Sequence, residues 1–239
     1  MANLPVLMYH NVNSSLSSGL TISCDKLEEQ LAYLCKKKYT FYFASELTEK
    51  TDFAKKSIVV TFDDVTQNQL LYALPMLKKY NVKATFFIPF GYIGKTDLWN
   101  KKNGTSQEKI MTFEQLKSID SNLVEFGHHS FKHNRYSQLS KEEILIDFEN
   151  SYEAIKQSQL KVFPSLAYPY GDFPKKGIEK KVFFDLLEEN GIKAAFRIGN
   201  RVNKLPIKSK YEIQRIDVKG EDSLLVFILK ILFGKLRLF

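Results

Sequence analysis

Residues 58–64 read Ile58-Val59-Val60-Thr61-Phe62-Asp63-Asp64. The first five are β-branched or aromatic, the pattern of a short buried strand. The two aspartates therefore emerge where that strand ends, and α/β folds assemble their sites at such ends. Adjacent side chains on an extended segment point opposite ways. One carboxylate can hold a cation while the other stays free as a base.

Outward from this stretch, strand-like runs recur at 4–9, 84–89, 123–127, 165–168, 193–198 and 211–218. Helical patterns fall between them at 24–38, 68–80, 112–119, 141–158 and 176–189, and Ser140-x-x-Glu143 forms a capping box opening the fourth of these. Such alternation specifies an α/β fold. The chain has 239 residues, 44% hydrophobic and 13% aromatic, enough for a single barrel with a large core and too apolar for disorder. No repeat, low-complexity tract or linker divides it. Residues 1–239 read as one catalytic domain, with an amphipathic segment at 221–239.

A second motif, His129-Ser130-Phe131-Lys132-His133, follows the strand at 123–127. Its spacing places both imidazoles on one face of a helical turn. Gly127 is expected to let the chain turn out of that strand. Neutral imidazole suits zinc and other late divalent ions, and a carboxylate completes a three-ligand set with positions left for water. Taken singly, an Asp-Asp pair reads as a cap or surface turn and the histidine pair as a solvated helix face. Both stand at strand ends and, with His128, they draw on three of four histidines, so together they point to a metal site.

Thr61-Phe62-Asp63-Asp64, His129 to His133 and Tyr168-Pro169-Tyr170-Gly171 resemble the first three motifs of the polysaccharide deacetylase family, the NodB-homology group or carbohydrate esterase family four. Ala73-Leu74-Pro75-Met76-Leu77 and Ala84-Thr85-Phe86-Phe87-Ile88 resemble the helix and strand that follow the first motif. Val6-Leu7-Met8-Tyr9-His10 resembles the first strand of the branch that includes poly-N-acetylglucosamine deacetylases. The resemblance runs from residue 4 to 218. It implies a distorted (β/α)7 barrel with a metal at its open end and hydrolysis of the acetamide of an N-acetylated sugar on a polysaccharide or glycolipid. By the same resemblance Asp63 is the general base, Asp64, His129 and His133 hold a divalent metal, and the backbone N–H of Tyr170 meets the oxyanion. Zinc suits these ligands, with cobalt or nickel as alternatives. The metal polarises the carbonyl and acidifies a water, Asp63 removes its proton, and an acid protonates the leaving amine.

Three departures bear on that expectation. Val65 stands where the family has glycine, and a positive φ there strains a β-branched residue. Ala167 replaces an arginine that orients the base, leaving Arg197, Arg201 and Arg215 as substitutes. No histidine follows His133, so the acid falls to His10, which reads equally as a core residue, or to Asp217 at the end of the last strand. His128, beside a ligand, reads as pointing to solvent. The departures leave open a non-catalytic saccharide-binding relative. An iron-dependent oxygenase shares the two-His-one-carboxylate set.

Residues 91–108 read as a long loop over the substrate, in which Trp99 either stacks on a sugar or packs the loop. The formal charge is +8, with lysines scattered and without the interleaved aromatics of a nucleic-acid groove. A solvated basic surface is the default reading, and attraction to anionic glycans or to an anionic lipid surface is the sharper one. Residues 224–239, LLVFILKILFGKLRLF, are too short and charged to span a bilayer. They suit a helix lying in a membrane interface or folded back on the barrel. Cys24 and Cys35 lie in one expected helix, roughly 16 Å apart at 1.5 Å per residue, too far for a mutual disulfide. Free thiols and a first strand beginning by residue 4 give a cytoplasmic expectation, with peripheral contact at the inner membrane face.

Overall fold

Seven parallel strands close on themselves: β1 (Val6–Tyr9), β2 (Ser57–Asp63), β3 (Ala84–Ile88), β4 (Val124–His128), β5 (Ser165–Ala167), β6 (Ala194–Ile198) and β7 (Ile213–Asp217). This computed structural model describes residues 3–102 and 107–234. Neighbours pair in chain order, and β7 returns to β1 with Ile216 opposite Leu7 and Asp217 opposite Met8. The β4–β5 seam is held by one registered pair, His128 opposite Leu166, so the barrel is distorted there. The expected (β/α)7 barrel is the observed architecture, and each barrel strand ends within two residues of its expected bounds.

Six helices matter below: α1 (Cys24–Lys36), α2 (Leu74–Tyr80), α3 (Phe113–Lys117), α4 (Lys141–Ser158), α5 (Gly177–Glu189) and α6 (Leu224–Phe233). The Ser140–Glu143 capping box opens α4 as expected, each residue's side chain accepting from the other's backbone N–H. The helical pattern at 68–80 is interrupted. A π-type turn spans Gln69–Ala73 before α2 begins at Leu74, because Pro75 has no N–H for the preceding turn. Gly104 and the tail 235–239 lie outside the described residues.

Alternation along the strands sorts the side chains into layers. Leu7, Tyr9, Val60, Phe62 and Phe86 face outward and pack with Leu27, Leu31 and Leu34 of α1. Leu166, Tyr168 and Ala195 face outward under Phe148 of α4 and Phe183 of α5. Val6, Val59, Phe87, Ala167, Phe196 and Ile213 fill the barrel interior. Each such large apolar side chain contributes about 1.5–3 kcal/mol on burial.

Gly127 corrects the sequence expectation. It lies within β4 and faces inward, where a Cβ would stand 2.5 Å from Ser165 Oγ and 2.8 Å from the Phe87 ring. Close approach, not a turn, requires glycine here. Gly127→Ala should therefore lower stability by about 1–3 kcal/mol through overpacking. Urea unfolding measures it, and an unchanged midpoint would show an interior that relaxes freely.

Candidate active site

The C-terminal ends of β1, β2, β4 and β7 converge at one mouth of the barrel. Asp63 is the last residue of β2, and its side chain turns inward, 2% exposed. Arg215, on the inward face of β7 and fully buried, grips it with a fork: Nη1 to Oδ1 at 2.6 Å and Nη2 to Oδ2 at 2.8 Å. Nη1 also donates to Thr61 Oγ1, and the guanidinium lies over the Phe87 ring. Burial alone raises the Asp63 carboxyl, but the charge of Arg215, aided by His129 and His10, holds it far below the usual carboxylate range. Of the three arginines left open by sequence, Arg215 does this work. Arg197 faces outward to Glu212, 3.7 Å away, and Arg201 is exposed.

Asp64 and Val65 both have positive φ, +76° and +47°. The turn is fastened by Asp64 N–H to Phe87 C=O and Met111 N–H to Val65 C=O. Positive φ costs a β-branched residue about 1–3 kcal/mol. Complete burial of the Val65 side chain contributes about as much, so valine is tolerated where glycine was expected. Gln69, from the π-type turn, donates to the carbonyls of His10 and Asp63 and joins the ends of β1 and β2. Sequence reading did not single it out.

The two histidines do not share a helical turn. They lie on a loop in which Ser130 and His133 both adopt left-handed backbone, with φ of +59° and +54°. Asp147 of α4, buried, shapes that loop. Its Oδ1 accepts from Ser130 Oγ at 2.7 Å and from Phe131 N–H at 2.9 Å, and its Oδ2 accepts from Tyr136 OH at 2.9 Å. Its sequence signal is modest: an aspartate on the buried face of α4 beside Ile144 and Phe148. His129 Nδ1–H donates to the Ala167 carbonyl at 2.8 Å, which leaves its Nε2 with a lone pair aimed inward. His128 faces the other way. It is buried against Phe90 and Tyr152, not turned to solvent, and burial lowers it to about 4.

Asp64, His129 and His133 form a group whose ligand atoms lie within 4.8 Å of one another. The Nε2 atoms of His129 and His133 stand 3.5 and 3.4 Å from Asp64 Oδ1. Tetrahedral bonds of 2.0–2.1 Å separate neighbouring ligand atoms by about 3.4 Å, so the spacing fits a zinc-sized ion. Asp64 Oδ1 is buried and has no hydrogen-bond partner among the described residues. Burial first, then the charges of Asp63 and Asp97, raise the Asp64 carboxyl well above its ordinary value. Burial lowers His129 to about 4, and lowers His133 with help from His129. Two neutral imidazoles beside a carboxyl that lacks only a positive charge make a donor set suited to a divalent cation.

His10 follows β1, with Nε2 3.7 Å from Asp63 Oδ2. Burial lowers it, while the charges of Asp63 and Asp217 act in the opposite sense. Its Nδ1 and Asp217 Oδ1 are both buried without a hydrogen-bond partner among the described residues. Tyr170 is in left-handed backbone, φ +58°, with its ring centroid 4.7 Å from that of His133 at a steep angle and the Arg135 guanidinium stacked 3.8 Å above it. Trp99 lies flat on His133, centroids 4.0 Å apart, and is 8% exposed, so it packs that imidazole and offers no open face to a sugar.

A sequence model of the polysaccharide deacetylase family matches residues 50–182, and the chain belongs to that family. The poly-beta-1,6-N-acetyl-D-glucosamine N-deacetylase of Staphylococcus epidermidis is 27% identical over 182 residues, 72% of this chain and 58% of that one. YxkH of Bacillus subtilis is 25% identical over 182 residues, 74% of this chain and 60% of its own length. The chain thus spans about three fifths of these two relatives. The Staphylococcus aureus deacetylase of the same name as the S. epidermidis protein is 25% identical over 221 residues, 90% of this chain and 73% of that one. The fold matches the Streptococcus pyogenes deacetylase PplD in complex with acetate, with TM-score 0.79, 19% identity and coverage of 96% and 98%. It also matches IcaB from Ammonifex degensii, with TM-score 0.75, 23% identity and 97% of both chains.

The electrostatics set the sign of a proton linkage. Burial and the neighbouring acidic charges favour the protonated Asp64 carboxyl, Arg215 favours the ionised Asp63, and burial favours neutral His129 and His133. Loading a divalent ion should therefore release protons and bind more tightly as pH rises. Calorimetry in buffers of different ionisation enthalpy reads this, and a heat independent of buffer would contradict it. Asp147→Ala should weaken metal affinity roughly 10–100-fold by freeing the histidine loop. Competition with a chromophoric chelator measures that change, and unchanged affinity in folded protein would show the clamp to be idle.

Proposed function

We propose that this chain is a metal-dependent N-deacetylase that hydrolyses the acetamide of an N-acetylated sugar in a polysaccharide or glycolipid. One observation carries the reading: Asp63, held ionised by Arg215, stands beside the buried group Asp64, His129 and His133. The names of the staphylococcal relatives support an N-acetylglucosamine polymer as substrate class. Zinc is the proposed ion because two imidazoles and one carboxylate at this spacing suit it. The free thiols Cys24 and Cys35 support a reducing, cytoplasmic setting as part of the proposal.

A divalent ion held there supplies Lewis-acid polarisation of the acetyl carbonyl and a water of lowered pKa. Asp63 takes the proton from the attacking water, its oxygens kept in place by the Arg215 fork. The Tyr170 N–H, on the turn of Pro169–Gly171, faces the tetrahedral oxyanion, where a fixed donor counts most. His10, with Nε2 3.7 Å from Asp63 Oδ2, relays to the leaving amine the proton that Asp63 took from the water. In this scheme Arg215 and His10 fill the two roles that Ala167 and the missing late histidine leave vacant, which favours catalysis over saccharide binding alone.

Metal-stripped protein should release no acetate from N-acetylglucosamine oligomers and should recover activity with Zn²⁺, Co²⁺ or Ni²⁺. Asp63→Asn should abolish turnover, and His10→Ala should lower kcat by roughly 10²–10⁴. Undiminished turnover in Asp63→Asn would overturn the mechanism. Saccharide binding without acetate release at any metal loading would overturn the activity.

A further inference from the structure

Helix α6 leaves most of its apolar surface uncovered. Nine of its ten residues, LLVFILKILF, are apolar, yet only Phe227 and Ile231 are buried. Leu225, Val226, Leu232 and Phe233 are exposed, Leu225 and Phe233 by 65% and 68%, and Leu229 between them is partly so. Positions 225, 226, 229, 232 and 233 fall on one face of a helix. A scattered exposed leucine is ordinary, whereas a continuous stripe over two turns marks an interaction surface.

The surroundings identify the partner by charge. Lys230, the one charged residue of α6, turns away from the stripe and donates to the Asp217 carbonyl and the Asp222 carboxylate. The outer face is therefore wholly apolar. Exposed Arg201 and Lys204 line the same surface depression as Leu232 and Phe233, and Lys235 and Arg237 come next in the sequence. The whole chain carries +8. An apolar stripe bordered by cations complements an anionic lipid surface, whose acyl chains take the leucines and phenylalanine while its headgroups meet the lysines and arginines.

We infer that the outer face of α6, with Arg201 and Lys204 at its border, docks this protein on an anionic lipid surface. No helix among the described residues is long and apolar enough to cross a membrane, so α6 lies along the interface. Lys230 ties α6 to the Asp217 carbonyl at the end of β7, so docking would hold the barrel itself against the lipid. The docking is independent of the reaction proposed above.

Flotation of the full chain with equimolar phosphatidylcholine–phosphatidylglycerol vesicles, against pure phosphatidylcholine, tests it. The protein should float with the anionic vesicles and be released by salt. Arg201→Gln and Lys204→Gln should each weaken partitioning about fivefold. Leu225→Ser and Phe233→Ser should weaken it tenfold or more, with unchanged acetate release from a soluble oligomer. Absence of flotation at low salt, or serine variants that float like the parent, would overturn the inference. So would a solution dimer that the serine variants dissociate, because that result gives the face to a second copy of the chain.

Discussion

Everything at the mouth of this barrel depends on the buried pairing of Arg215 with Asp63. The two residues sit on β7 and β2, strands separated by β1, and the guanidinium reaches across the interior between them. Both charges are out of water, so either one alone would be strongly unfavourable, and losing one partner of such a pair costs about 3–5 kcal/mol. The pair also divides the labour of two adjacent carboxylates. Arg215 favours the ionised form of Asp63, and that negative charge in turn favours the protonated form of Asp64. That separation of two neighbouring carboxylates is the basis for proposing Asp63 as base and Asp64 as ligand.

The departures from the family pattern resolve into compensations around that pair. Ala167 has no guanidinium to offer, but its small side chain fits the barrel interior and its carbonyl fixes the His129 tautomer. Val65 accepts a left-handed backbone because its side chain is completely buried. Asp147 holds in place a loop with two left-handed residues, a conformation that local propensity would not choose. Strain near the candidate metal ligands is thus balanced by packing and hydrogen bonds one layer further out.

The fold was legible because its signals are local. Apolar runs marked the strands, and a capping box marked the start of α4 at Lys141. The Asp-Asp pair and the two histidines were legible for the same reason, as strand-end polar clusters. The rest depends on tertiary contacts. A histidine pair at helical spacing became a clamped loop because Asp147 lies in a distant helix. Gly127 serves close packing because Phe87 and Ser165 occupy the space its side chain would need. Trp99 covers His133 because residues 91–108, read as a loop, carry a short helix at Leu98–Lys102 that sets its ring on the imidazole. The choice among three arginines was recoverable in principle. Arg215 shares the inward face of β7 with Ile213 and Asp217, whereas Arg197 alternates with the inward-facing Phe196. Of the two readings of the C-terminal segment, Leu224–Phe233 follows the one that folds it back on the barrel, through Phe227 and Ile231, while its opposite face is open.

The central claim is that Arg215 keeps Asp63 ionised as the base. The most direct measurement is the pH dependence of kcat/KM for metal-loaded Arg215→Gln, with retention of fold checked by circular dichroism. Removing the guanidinium takes away the charge that outweighs burial, so the Asp63 carboxyl should rise and the acid limb of the profile should move toward neutrality. A variant that is uniformly slower with its acid limb unmoved would contradict the assignment of Asp63 as a base set by Arg215.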